Sequence, residues 1–171
     1  APLELSLMAA FHGTAFDDSG RIFVCDRVRG EVGVYDTLGV KLGAVAIKNA
    51  DQVAVNAKTG AVYVVCRNLT GLGVGWCRLY KYSDWRNGGG IKIQLKKELF
   101  PGKTQDLAKT AAVEDERKVN PPTIGRITLL LDNSNSKPVL WVNGFGAPNY
   151  MADSGSANIR AVRDEGDSLV T

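Results

Sequence analysis

The sequence predicts an all-β fold built from three repeats of a four-stranded antiparallel unit. Three observations carry this. The stretch "GTAFDDSGRIFVCDRVRGEVGVYDTLG", residues 13 to 39, parses into short apolar strands divided by polar turns. The same pattern returns about 40 residues on and once more in the last third of the chain. The strands are apolar on both faces, which places them between packed sheets rather than on a solvated surface.

In the first copy, Thr14, Ala15 and Phe16 form a strand and "DDSG" turns the chain, because Asp, Ser and Gly each stabilise a turn backbone. "RIFVCD" is the second strand, with Ile22 and Val24 on one face and Phe23 and Cys25 on the other. "RVRG" is a turn, "EVGVYD" the third strand, "TLG" a turn, and "VKLGAVAI" a fourth strand leading away. The second copy begins with "QVAVNAKTGAVYVVCR", where Val64 takes the place of Val24 and the turn is one residue longer. "WCRLYKYSD" is its third strand, with Tyr82 in the role of Tyr35. "GIKIQLKKELF" is its fourth, Ile91, Ile93 and Leu95 alternating with Lys92, Gln94 and Lys96 as a half-exposed outer strand does. The third copy reads "GRITLLLDNSNSKPVLWVNG", with Val142 at the repeated valine, followed by "ANIRAVRDEGDSLVT" for a third strand and the start of a fourth.

A four-stranded unit apolar on both faces must stack on neighbours to bury itself, and units of this length stacked around an axis make a β-propeller. The prediction is therefore a partial β-propeller: residues 11–48, 49–100 and 124–171 as blades, 1–10 as the outer strand of a preceding blade, and 101–123 as an insertion. The first copy resembles the NHL-repeat and YVTN-type propellers, whose repeat runs approximately "GVAVDxxGxVYVADxxNxRVxVFDxxG". The second copy matches through "VAVNAKTGAVYVV" and the third loosely, so the resemblance covers about 120 residues. It implies a fold and leaves the activity open.

Three blades do not close a ring. Either further blades exist on the same or another chain, the ends at "LELSLMAAF" and "DSLVT" reading as cut, or two copies associate as three plus three. Both readings require the terminal blade faces to be covered. The composition excludes other classes. The net charge of +3 is spread along the chain, which gives no basis for nucleic-acid binding. No apolar run approaches the roughly 18 residues of a membrane span. The start "APLELS" fits a processed N-terminus and an extracytoplasmic setting, or equally a chain begun at an arbitrary point.

Residues 101–123 hold "TQDLAKTAAVEDERK", a predicted helix with Thr104 as its cap and Leu107, Ala111 and Ala112 inward, stopped by Pro121 and Pro122. It is either a lid or docking element over one end of the propeller or a surface excursion. Cys66 and Cys77 flank "RNLTGLGVGW"; if that is a hairpin they face each other and are disulfide candidates. The competing reading makes Cys25, Cys66 and Cys77 small buried hydrophobes.

Candidate chemistry is sparse. No GxSxG, P-loop or GxGxxG occurs. His12, the sole histidine, immediately precedes the first strand, a position near the central channel of a propeller. NHL-type amidating lyases are similar here, with a "PHG"-type step whose histidine binds a metal, so the resemblance implies a divalent-metal ligand at His12. That family uses one histidine from each of several blades, and the matching positions in this chain are Asp51 and Ile127. A zinc site needs three or four ligands, so the rival reading is a hydrogen-bonded channel histidine. Asp26 and Arg27, in "CDR", approach the same end, with Asn68 in the second copy's "CRN". An "ADRENGR" step in the lyases places an arginine near substrate, which the resemblance carries to Arg27; the rival is a turn tie within the blade. Asn143 and Tyr150 lie in the loop "NGFGAPNYMADSGSAN", a candidate recognition surface. Two functions are expected: a binding scaffold presenting end loops to a protein, peptide or glycan, or a metal-dependent lyase or hydrolase acting around His12, Asp51 and Arg27.

Overall fold

The computed structural model describes residues 11–67, 77–96, 124–146 and 158–171. The expected outer strand in residues 1–10 and the helical insertion at 101–123 lie outside them. The described strands form three four-stranded antiparallel sheets, each in simple sequence order. The first sheet holds β1 (Phe11–Phe16), β2 (Ile22–Asp26), β3 (Glu31–Tyr35) and β4 (Lys41–Ala46). The second holds β5 (Ala50–Val55), β6 (Val62–Arg67), β7 (Cys77–Tyr82) and β8 (Lys92–Gln94). The third holds β9 (Ile124–Asp132), β10 (Val139–Gly146), β11 (Asn158–Asp164) and β12 (Leu169–Val170). The first strands adjoin, β1 against β5 and β5 against β9, which is the arrangement of a partial propeller-like all-β fold.

The repeat is visible in the turns. Asp17 Oδ1 accepts the amides of Ser19 and Arg21, and Gly20 follows at φ 74°. Asn56 Oδ1 accepts those of Lys58 and Thr59, and Gly60 follows at φ 77°. Asp132 Oδ1 accepts the amide of Ser134 at the same place in the third sheet. Only glycine holds such a φ without Cβ strain, so the "DDSG" and "NAKTG" spacing dictates where the strands reverse.

Alternation sorts the strand residues into two cores. Phe23, Cys25, Val32, Val34 and Val45 of the first sheet pack on Val53, Val62, Val64, Cys66, Tyr80 and Tyr82 of the second. The opposite face of the second sheet, with Tyr63, Val65, Cys77 and Leu79, packs on Leu129, Leu140, Val142 and Val162 of the third. Full burial of one such large side chain stabilises by roughly 1.5–3 kcal/mol. Trp85, before a 3-10 turn at Arg86–Gly89, closes the outer end of the first seam edge-on to Phe23, with ring centroids 6.3 Å apart.

Two expectations are corrected. Ile91 lies outside β8 and is exposed in the bend before it, while Leu95 is buried. Cys66 and Cys77 do not form a disulfide. Register pairs Cys66 with Arg78 and Arg67 with Cys77, so the two cysteines are one step out of line and point to opposite faces. Each is buried in a different core. Burial pushes the Cys66 thiol up to about 12 and raises that of Cys25 as well. The native protein is therefore expected to resist a small aromatic disulfide reagent at mildly alkaline pH, and to yield all three thiols once denatured. Fewer than three thiols in denaturant would contradict the absence of a bridge.

Candidate functional site

One end of the first seam gathers charge from four strands. His12 lies in β1, Arg27 directly follows β2, Asp51 lies in β5 and Arg67 ends β6. Backbone irregularities make this possible. Register skips between Phe11 and Thr14 in β1 and between Ala50 and Gln52 in β5, so His12 and Asp51 both fall in bulges. A bulge frees a residue from the ladder and re-aims its side chain. Gly13 lets the two strands meet: a Cβ there would stand 2.7 Å from the Asp51 carbonyl oxygen and 2.7 Å from Gln52 Cα.

The buried Asp51 carboxylate is the hub. Its Oδ1 accepts from Arg67 Nη2 at 2.9 Å and Nε at 3.2 Å. Arg27 Nη1 lies 3.6 Å from the same oxygen and His12 Nδ1 3.4 Å from it. Arg27 Nη2 donates to the Arg67 carbonyl at 3.0 Å, tying the ends of β2 and β6 together. Among the described residues, Arg27 Nη1 is buried without a hydrogen bond. Burial lowers the His12 pKa; Asp51 acts to raise it, and Arg27 and Arg67 lower it further. With His12 neutral, two guanidiniums share the Asp51 carboxylate.

Of the residues expected from sequence, the structure brings His12, Arg27 and Asp51 together. Ile127 is instead buried in the second core beside Leu129. Asp26 ties a turn: its carboxylate accepts the Arg29 amide at 2.9 Å and Arg29 Nη1 at 3.2 Å. Asn143 sits on the third sheet, on the face turned from the second, its Oδ1 buried and, among the described residues, without a hydrogen bond. Asn68 and Tyr150 lie outside the described residues. Arg67 was missed, although it stands 40 residues after Arg27, the offset that relates Val24 to Val64. The signal was masked by matching the two cysteine steps, "CDR" and "CRN", rather than the repeat offset.

The donors among the described residues do not by themselves make a divalent-cation site. Among the described residues no three His, Cys, Asp or Glu side chains converge, and the one carboxylate near His12 is held by guanidiniums that repel a metal. A second polar cluster, which sequence reasoning did not find, locks the other seam. Asp164 Oδ2 accepts from Tyr63 Oη at 2.5 Å and Oδ1 from Lys81 Nζ at 2.7 Å. Lys81 also donates to the Gly166 carbonyl at 2.6 Å. Burial, and then the bond to Asp164, raises the Tyr63 pKa, so its hydroxyl stays a donor. No helix among the described residues is long and apolar enough to cross a membrane. Neither a protein-family model nor any curated protein sequence matches this chain.

Proposed function

We propose that this chain is a binding scaffold of the NHL or YVTN propeller type, extracytoplasmic, that offers the end of its sheets at Arg27 and Arg67 to a protein, peptide or glycan partner. Further sheets, on the same or another chain or in a second copy, complete its stack. The observation that supports this reading is Arg27: its Nη1 lies 3.6 Å from Asp51 and, among the described residues, is buried without a hydrogen bond, a donor suited to an anionic group of the partner. The enzyme reading draws on the His12–Asp51 approach alone and needs ligands from outside the described residues.

Calorimetric titration with a glutamate-rich decapeptide tests the proposal. Binding that weakens with added salt is expected. Arg27→Gln is expected to weaken it by about tenfold or more, the loss of a charge-assisted hydrogen bond, while Arg27→Lys retains part of the affinity. No binding by the wild type, or equal binding by Arg27→Gln, would refute the reading.

A further inference from the structure

The three sheets correspond position by position. Phe23, Tyr63 and Trp141 each precede the repeated valine, and each pairs across to β1, β5 or β9 at Ala15, Ala54 and Leu130. One pair further along, Val32, Leu79 and Ile159 face Cys25, Val65 and Asn143. In the first two sheets these positions are sealed by the next sheet: Phe23, Tyr63, Val32 and Leu79 are 0% exposed. In the third sheet the same positions lie open, with Trp141 at 44%, Leu130 at 63% and Ile159 at 63%. Leu130, Trp141 and Ala161 form one row across the sheet, and Ile159 lies in the adjoining row. A large aromatic flanked by aliphatics marks a face built for burial.

The occupant follows from what else the chain exposes. On the matching face of the first sheet, which would continue the stack head to tail, the centre, Val24 and Tyr35, is buried within the chain and Phe16 is exposed at the edge. A two-fold pair uses the open face of the third sheet alone, and that face must then be self-complementary. Its next row supports this: Asp132 and Arg163 flank Val139 on opposite sides of β10. We propose that this face packs on the same face of a second copy, about a two-fold axis running along β10. Trp141 then meets its counterpart, and Asp132 of each copy lies opposite Arg163 of the other. Among the described residues Arg163 pairs with Glu165 alone, at 3.9 Å. Closed two-fold pairs are the commonest assemblies, and sheets pack face to face about 10 Å apart. Four short strands cover a few hundred Å² per copy, a small interface, so the dimer is expected to be of about micromolar affinity or weaker.

Sedimentation velocity over a concentration series, from low micromolar to several hundred micromolar at low salt, tests this. A reversible monomer–dimer equilibrium is expected. Trp141→Lys and Ile159→Lys, both at exposed sites in the single chain, are expected to leave the far-UV circular dichroism unchanged and the protein monomeric throughout. Arg163→Glu places like charges opposite each other and is expected to weaken the dimer by about tenfold; Asp132→Lys added to it restores the pairing. A monomer across the series, open-ended growth, or a double variant no stronger than Arg163→Glu would overturn the proposal. It names one of the structural partners suggested above but is independent of the ligand reading, because Arg27→Gln is expected to leave the association unchanged.

Discussion

Asp164→Ala is expected to cost about 3–5 kcal/mol of folding stability, the loss typical when one member of a buried ion pair is removed. Lys81 and Asp164 are both buried, and the carboxylate serves Lys81, the Tyr63 hydroxyl and the Gly166 amide together. Alanine leaves the Lys81 ammonium in the seam with the Gly166 carbonyl as its remaining partner, and leaves Tyr63 without its acceptor. Against a total stability of about 5–15 kcal/mol for an ordinary domain this is a large fraction. Removing the polar groups together behaves differently, because apolar replacements leave no charge uncompensated. The triple variant Tyr63→Phe, Lys81→Met, Asp164→Leu is expected to recover most of the loss. Denaturant unfolding of both variants checks this. A triple variant no more stable than Asp164→Ala would show that packing, not charge, governs the seam.

Asp51→Ala has the second largest expected effect, about 2–4 kcal/mol. Without the carboxylate, Arg27 and Arg67 both lose the counter-charge at Asp51, while the bond from Arg27 to the Arg67 carbonyl remains. The loss is set below that at Asp164 because both guanidiniums keep some contact with solvent, and solvent screens their repulsion. An anion that takes the place of the carboxylate stabilises the folded form in proportion to its occupancy. Added sulfate is therefore expected to raise the melting temperature of Asp51→Ala more than that of the wild type. Equal shifts in the two proteins would mean that the cluster does not gather anions.

The fold was legible because its signals are local. Thr14 to Tyr35 spell out strand, turn and strand through β-branched and aromatic residues at period two, with Asp17 and Gly20 marking the reversal. Repetition of that unit identified Val64 and Val142 as partners of Val24. Three of the four site residues were legible too: His12 and Arg27 by their places before and after strands, and Asp51 as the position matching His12 in the second copy. The cysteines show where such reading fails. Cys66 and Cys77 stand on either side of one connection, yet a one-residue offset in register sends them to opposite faces. Spacing in sequence does not encode that offset across a connection of this length. Ile91 alternates with Ile93 in the sequence, but it stands one residue before β8 begins, at the end of the sheet, and its side chain is exposed there.

By itself the sequence determined the repeat, the turn positions and which residues of each strand share a face, because these depend on backbone conformation and on the alternation of neighbouring side chains. Only the tertiary structure decided which charges meet. Tyr63 and Lys81 reach Asp164 across 101 and 83 residues, and Arg27 reaches Arg67 across 40. Those contacts are made by stacking one sheet on the next and by bulges that turn His12 and Asp51 out of their ladders. Period two states that a side chain faces a neighbour; the packing of the sheets states which one.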